Sequence, residues 1–406
     1  MSFRATLALT AALFAASAAA AVPHYRYTDL GVLAGDDSST ARAISQNGLI
    51  AGESGFGFQN NRVAQFFAGS PPVAFATLPS SITASTRGIN SSGVAAIIVQ
   101  GNDPDVVVDD RAALVSQSTA TLLNPFAGYA AAGAFDVTDG GVAVGFSLDI
   151  GSIQGSAEGG VPVIGAGLGS QRATVWAADG TASLLAGPLA FGANTNAVSI
   201  GEDGQIAGIM RGSGSSASLR AVRWGSATGA LEILTLGTGQ VSSRAREIND
   251  HGWVAGQVFG PGSLMLGIGA VWDSSGNDPY LLTANGFVST TTRGIDNSGN
   301  VVGFGYDAFD EELGFGDAIG LIWFWNGVGY DAFVLDTLVG ALGSARTFAV
   351  QGINDAGQIV GFGPNQSGGV HAYLLTAVPE PGTWALMIGG FALSGVMLRR
   401  RRAAFA

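Results

Sequence analysis

Seven times the chain repeats one short pattern: an apolar residue, a run of polar turn formers, a glycine, then an apolar strand. The copies are AISQNGLIAGES, GINSSGVAAIIV, DVTDGGVAVGFS, SIGEDGQIAGIM, EINDHGWVAGQV, GIDNSGNVVGFG and GINDAGQIVGFG. Self-similarity of this kind restricts a chain to solenoids, propellers or arrays, because one unit cannot bury its own apolar face. The turn glycines are Gly48, Gly93, Gly141, Gly204, Gly252, Gly299 and Gly357, spaced 45 to 63 residues apart. A repeat of about 50 residues fits a propeller blade with loops of unequal length.

Each copy reads as a hairpin. Ile44, Ile89, Val137, Ile200, Ile248, Ile295 and Ile353 sit four residues before the glycine. Asn, Asp and Ser between them close the turn through their side chains, and the glycine takes the positive φ of a tight hairpin. A second glycine follows four residues later in six copies (Gly52, Gly145, Gly208, Gly256, Gly303, Gly361), with Ile97 in the other. Glycine inside a strand marks close backbone approach, expected where inner strands crowd around an axis. A third strand (RVAQF, RAALV, RATVW, RAVRW, IGAVW, LIWFW, HAYLL) ends on Phe66, Val115, Trp176, Trp224, Trp272, Trp325 and Leu375. Recurrence at one repeat position reads as core between blades rather than as a platform for sugars. Fourth strands follow in TLLNP, SLLAG, EILTLG and YLLTA.

The last copy stops after HAYLL, while YRYTDLG near the start resembles LEILTLG. The N-terminal strand is therefore expected to complete the last blade and leave no bare sheet edge. These readings predict an all-β, seven-bladed β-propeller; an open β-solenoid or a ring with another blade count are the alternatives. The repeat also resembles the extracellular HAF repeat, whose three-residue signature is matched at His371, Ala372 and Tyr373, the other copies keeping mainly the alanine. That resemblance implies no catalytic activity.

Both ends read as export machinery. MSFRATLALTAALFAASAAAA places Arg4 before an apolar stretch that finishes on small residues, the layout of a secretory signal peptide over residues 1–21, cut after Ala21 by signal peptidase. At the other end, Thr383 to Leu398 is free of charge and as a helix reaches about 24 Å, a marginal transmembrane span. Arg399, Arg400, Arg401 and Arg402 supply the positive flank that stays in the cytoplasm, which puts the preceding domain outside the inner membrane. Pro379 and Pro381 forbid regular helix around Glu380 and leave accessible backbone above the bilayer. The proline-bracketed acid, span and basic cluster at residues 378–402 resemble the PEP-CTERM sorting signal, a segment also labelled ice-binding protein C-terminal domain. The resemblance implies Pro379, Glu380 and Pro381 as recognition residues for exosortase. It also implies transient anchoring in the inner membrane through the 383–398 helix, then release or attachment at the cell surface, often in bacteria that make exopolysaccharide and biofilm. The domain between, residues 22–377, is the repeat propeller.

Composition narrows the chemistry. The chain has no cysteine, which excludes disulfides, thiolate metal sites and cysteine nucleophiles. All its basic residues are arginine; outside residues 1–21 and the run from Thr383 onward, 13 arginines against 30 acids leave a formal charge of −17. Such a surface repels nucleic acid and favours cations or neutral polymers. His24, His251 and His371 lack zinc-ligand spacing and read as structural or exposed. Arg42, Arg87, Arg246 and Arg293 recur six residues before a turn glycine. They either line a central channel and bind an anion or, the stronger expectation, pair with acids and backbone carbonyls of their blades.

Insertions fall between second and third strands, which in a propeller gathers them on one face, the usual binding side. Two of these loops are acidic: Asp103, Asp105, Asp109 and Asp110 in one, and Asp307, Asp310, Glu311, Glu312 and Asp317 in the other. Oxygen donors of this type suit calcium, which could bridge to an acidic polysaccharide, although neither loop has the D-x-[DN]-x-[DN]-G spacing. Solvated acidic loops are the competing reading. Residues recurring seven times are scaffold, and no singular catalytic set stands out. The expected function is therefore a non-catalytic, surface-sorted protein that binds or organises exopolysaccharide. A secreted carbohydrate-active hydrolase or lyase, which facing buried carboxylates would favour, and a purely structural coat protein are the alternatives.

Overall fold

The computed structural model describes residues 22–56, 59–78, 83–100, 110–149, 170–187, 194–212, 219–261, 266–310, 314–340, 342 and 345–378. The expected signal peptide, Pro379, Glu380, Pro381, the 383–398 helix and the Arg399–Arg402 cluster lie outside the described residues, as do Asp103, Asp105, Asp109, Glu311 and Glu312.

Seven four-stranded antiparallel sheets form a β-propeller among the described residues. The innermost strands, one per blade, are Ser38–Ile44, Thr83–Ile89, Ala131–Val137, Asn194–Ile200, Ser242–Ile248, Ser289–Ile295 and Ala349–Ile353. Blades 1 to 6 run outward in chain order. Blade 7 takes its outermost strand, His24–Asp29, from the N-terminus, hydrogen-bonded beside Val370–Val378. The ring is thus closed as the sequence predicts. The closing strand sits two residues from the alignment with LEILTLG: the Leu30 N–H donates to Ala372 as that of Leu234 does to Ala221, so Leu30 matches Leu234 rather than Leu236.

The core lies between blades. Ala207, Ala221 and Leu234 pack with Ala245, Val258, Ala270 and Trp272 where blade 4 meets blade 5, and the same arrangement repeats at other seams. Trp176, Trp224, Trp272 and Trp323 are fully buried. Each indole N–H donates to a backbone carbonyl at the end of the preceding blade, those of Asn124, Ala186, Thr235 and Thr283. The tryptophan stripe is core, but its blade 6 member is Trp323, not Trp325. Trp323 opposes Val301 as Trp272 opposes Val254. Trp325 is displaced two residues outward, into an aromatic cluster with Trp253, Tyr280 and Tyr330.

Every repeat turn has one geometry. The seven turn glycines hold φ between 69° and 85°, the left-handed region that L side chains rarely adopt. The residue three before the glycine exchanges both backbone bonds across the loop; in blade 5 the Asn249 N–H donates to Trp253 and the Gly252 N–H to Asn249. Three residues earlier in every inner strand comes a β-bulge, between Ala41 and Ala43, Thr86 and Gly88, Ala134 and Asp136, Ala197 and Ser199, Ala245 and Glu247, Thr292 and Gly294, and Val350 and Gly352. The bulge explains the second glycine. A Cβ on Gly52, Gly145, Gly208, Gly256, Gly303 or Gly361 would run into the carbonyl oxygen two residues before the bulge, such as that of Thr291 for Gly303. The close approach comes from the neighbouring strand of the same blade, not from crowding at the axis.

Candidate ligand site: the central channel

The extra residue of each bulge has no ladder partner, and in the seven blades it is Arg42, Arg87, Phe135, Val198, Arg246, Arg293 and Gln351. All seven line one cavity on the propeller axis, of about 320 Å³. Asp136 and Glu247 line the same cavity and also a smaller one of about 90 Å³, whose remaining lining comes from the ends of the inner strands and from the hairpin turns, including Asp139, Glu202, Asp250 and Asn297. Along the axis the order is therefore arginines, then Asp136 and Glu247, then an acidic mouth on the turn side.

The turn side is a hydrogen-bonded ring. Two residues before each turn glycine, a side chain accepts the N–H of its counterpart in the preceding blade. Asp139 serves Ser91 (2.6 Å), Glu202 serves Asp139 (2.8 Å) and Asp250 serves Glu202 (2.7 Å). Asn297 serves Asp250 (2.9 Å), Asp355 serves Asn297 (2.8 Å) and Gln46 serves Asp355 (2.9 Å). At the remaining seam, where Ser91 is too short, Asn47 Nδ2 donates to the Ser91 carbonyl instead (2.7 Å). One position earlier, Asn90, Asn249 and Asn354 donate to the backbone carbonyls of Thr138, Asp296 and Ser45 in the next blade. The polar turn residues, legible in sequence only as turn formers, also lock blade to blade. Their equal offset from the glycine in consecutive copies is the feature that could have revealed it.

The channel arginines behave differently from one another. Arg42 pairs with Glu53 (2.8 Å), which also accepts from the Thr40 hydroxyl and the Thr86 N–H. Arg87, Arg246 and Arg293 make no hydrogen bond or ion pair among the described residues, and the Nε atoms of Arg246 and Arg293 are buried without a partner. The expectation that these arginines pair within their blades holds for Arg42 alone. The reason is the bulge, which turns the side chain out of its sheet toward the axis, where Glu53 and Asp136 are already engaged by other donors. Enclosure first, and the neighbouring guanidiniums second, lower the pKa of Arg246 and of Arg293 to about 9. Arg293 and Arg42 lie over the rings of Phe304 and Phe362 (5.2 and 5.3 Å), which sit on second strands beyond the bulge level. Their heads thus reach away from the turns, toward the face that carries the second-to-third-strand connections.

Asp136 accepts from Ser199 Oγ (2.9 Å) and the N–H groups of Ile200 (3.0 Å) and Val137 (2.9 Å). Burial nevertheless pushes its pKa up to about 6. Glu247 has no hydrogen-bond partner for its carboxyl among the described residues, and burial, with Asp136 adding repulsion, holds its pKa well above the usual carboxylate range.

Of the residues singled out as cation ligands, the structure describes Asp110, Asp307, Asp310 and Asp317. Asp110 is half-buried at the start of a third strand, Asp307 and Asp317 are exposed, and Asp310 lies in a two-residue ladder with Gly314. Among the described residues no group of three or more His, Cys, Asp or Glu side chains is placed to hold a metal ion. His24 and His251 are exposed, and His371 bonds Asp29 (2.9 Å) and Asn365 (3.0 Å), tying the closing strand to blade 7.

Residues 377–402 match the family model of the PEP-CTERM protein-sorting motif. The chain carries a PEP-CTERM sorting motif. That motif implies export, processing by exosortase and membrane-associated sorting to the cell surface. No curated protein sequence matches the chain. Among solved structures, oligogalacturonate lyase from Vibrio parahaemolyticus is 10% identical with a TM-score of 0.49, over 88% of this chain and 98% of that one. Phage phi92 endosialidase is 10% identical with a TM-score of 0.43, over 88% and 70%. TolB from Acinetobacter baumannii is 13% identical with a TM-score of 0.42, over 72% of this chain and 63% of that one. At such identities and scores these likenesses say nothing of what this PEP-CTERM chain binds or does.

Proposed function

We propose that this PEP-CTERM protein is a non-catalytic surface propeller that binds or organises extracellular polysaccharide through the face bearing its second-to-third-strand connections. The observation that carries the reading is the asymmetry of loop length. Each first hairpin closes in a uniform turn, whereas the second-to-third connection runs from Phe56 to Gln59 in blade 1 but from Leu148 to Gln171 in blade 3. Variation confined to one face of a repeat ring is where binding diversifies. The likeness of the repeats to extracellular HAF repeats, and a sorting motif that directs the chain outward, support the same reading. Calcium held by the acidic loops is the bridge proposed to acidic polymer.

The test is cosedimentation of the full chain with the host's own exopolysaccharide, in calcium and then in chelator. Saturable binding that the chelator abolishes, and that disappears when Asp307, Asp310, Glu311 and Glu312 become Asn or Gln, supports a calcium-bridged matrix protein. Absence of binding in both conditions sinks it and leaves a structural coat role. For the sorting step, Pro379→Ala with Pro381→Ala is expected to leave the tail uncut, read as the intact mass of the exported chain.

A second reading is favoured by Asp136 and Glu247, two carboxylates of raised pKa on the wall of one cavity. Such a pair suits acid and base roles in glycoside cleavage. Progressive shortening of the polymer, lost in Glu247→Gln, would establish it.

A further inference from the structure

We propose that the central channel binds one small oxyanion, a carboxylate, sulfate or phosphate, between Arg87, Arg246 and Arg293, admitted from the face opposite the hairpin turns. Three observations on the channel carry this, none of them part of the loop-face reading above.

The first is that the scaffold does not require these arginines. The bulge recurs in all seven blades, yet its extra residue is Phe135, Val198 and Gln351 in blades 3, 4 and 7. A position that accepts a ring, a branched aliphatic and an amide is not held as arginine by folding.

The second is that the charge is unanswered. Arg42 has Glu53, but Arg87, Arg246 and Arg293 have no acid within ion-pair distance among the described residues, and two guanidinium Nε atoms are buried with nothing to donate to. Enclosed charges are normally paired, because an unpaired one forfeits its hydration. Asp136 lines the same cavity but is engaged by Ser199, Ile200 and Val137. Glu247 also lines it, and burial holds its pKa well above the usual carboxylate range. Three guanidiniums with donors to spare on one cavity wall form a pocket that accepts negative oxygen atoms and discriminates against cations.

The third is size and approach. A cavity of about 320 Å³ equals roughly ten waters at about 30 Å³ each, enough for sulfate or phosphate with its shell, or for one acidic sugar residue. The acidic turn-side mouth of Asp139, Glu202 and Asp250 repels an anion, so entry is from the arginine side. The site therefore takes a free small anion or the charged end of a polymer.

The experiment is calorimetric titration of the full chain, in mild detergent and a chloride-free zwitterionic buffer, with sulfate, with glucuronate and with glucose. One-site binding of sulfate or glucuronate without binding of glucose is expected. Arg246→Gln or Arg293→Gln should weaken it roughly 10- to 100-fold, the value of a charge-assisted contact. Arg42→Gln, which removes an arginine already paired, should weaken it less. Because Arg246→Gln and Arg293→Gln each remove an unanswered charge, circular dichroism is expected to show folded protein, and Gln351→Arg, which adds a cation inside the arc between blades 6 and 1, offers an independent gain of affinity. Titration with polyuronate and with its short oligomers at equal uronate content then separates the sources: affinity that follows the concentration of ends marks a chain-end site, and binding of monomer alone marks a free metabolite. No heat with either anion, or the same affinity in Arg246→Gln, Arg293→Gln and the parent chain, overturns the proposal.

Discussion

Replacing Trp323 and Trp325 separately by phenylalanine distinguishes two registers of blade 6. Trp323 is fully buried and its indole N–H donates to the Thr283 carbonyl at 3.1 Å, joining blade 6 to blade 5. Phenylalanine keeps one ring but leaves that carbonyl without a partner, at about 1–3 kcal/mol. The volume lost from a close-packed seam adds roughly 1–2 kcal/mol. The total, about 2–5 kcal/mol, should lower the urea midpoint of the full chain by roughly 1 M for an m-value of about 3 kcal/mol/M. Trp325 lies half-buried in an edge-to-face cluster with Trp253 (5.2 Å) and Tyr280 (5.0 Å) that a phenyl ring can still occupy. Trp325→Phe should therefore cost about 1 kcal/mol or less. Urea titration followed by far-ultraviolet circular dichroism reads both. A Trp325 variant as damaged as the Trp323 variant, or more so, would refute the register and with it the inter-blade role of the indole.

Three further outcomes follow from the repeat geometry. Gly256→Ala places a methyl against the Arg244 carbonyl and should destabilise by about 1–3 kcal/mol, measured as a fall in urea midpoint, whereas Gly260→Ala, in open space, should be near neutral. Asn354→Ala removes the donor to Ser45 (3.1 Å) and the acceptor for the Gln358 N–H (3.0 Å) from a fully buried position, for about 2–4 kcal/mol; hydrogen exchange should quicken at the seam of blades 7 and 1 before others. Asp29 titrates below its ordinary 3.8: burial opposes ionisation, but bonds from His371, the Gly31 N–H and Asn365 outweigh it. A depressed carboxylate contributes stability that is whole above the unfolded value and lost as pH falls through the folded one. Loss of the closing strand should therefore set in below about pH 4, and a midpoint series in Asp29→Asn should lack that acid-side fall.

Much of the fold was legible because the seven copies could be compared with one another. Blade number, hairpin turns, positive-φ glycines and closure by the N-terminal strand all follow from spacing and residue type. The errors were of register. In LIWFW the two tryptophans both suit a strand end, and only pairing with Val301 shows that Trp323 faces the seam. The β-bulge left no local mark, since an unpaired residue is a property of two strands and not of one. For that reason Arg42, Arg87, Arg246 and Arg293 read as ordinary strand residues with partners to be found, although their shared offset from the glycine was visible. The channel acids Asp136 and Glu247 were missed on the same ground, being the residues just after the bulge in blades 3 and 5.

A seven-fold repeat also serves as its own control for what is scaffold. The glycine at the turn is invariant across the copies, and the glycine four residues on nearly so, because backbone geometry demands both. Three residues before the turn, Asn, Asp, Ser or Thr recur in six blades because their side chains cap the loop, as Asn90 does for Val94 and Ser45 for Leu49. Two residues before it, long acceptors recur because each receives a neighbour's N–H around the ring. At the bulge the pattern breaks: the backbone is the same seven times, but the residue ranges from valine to arginine. Where geometry repeats and chemistry does not, folding has ceased to choose the residue. The four arginines, on the inner strands of blades 1, 2, 5 and 6, then stand as a cationic arc across the channel from Phe135 and Val198, an asymmetry that a closed ring has no structural use for and that a ligand bound off-centre does.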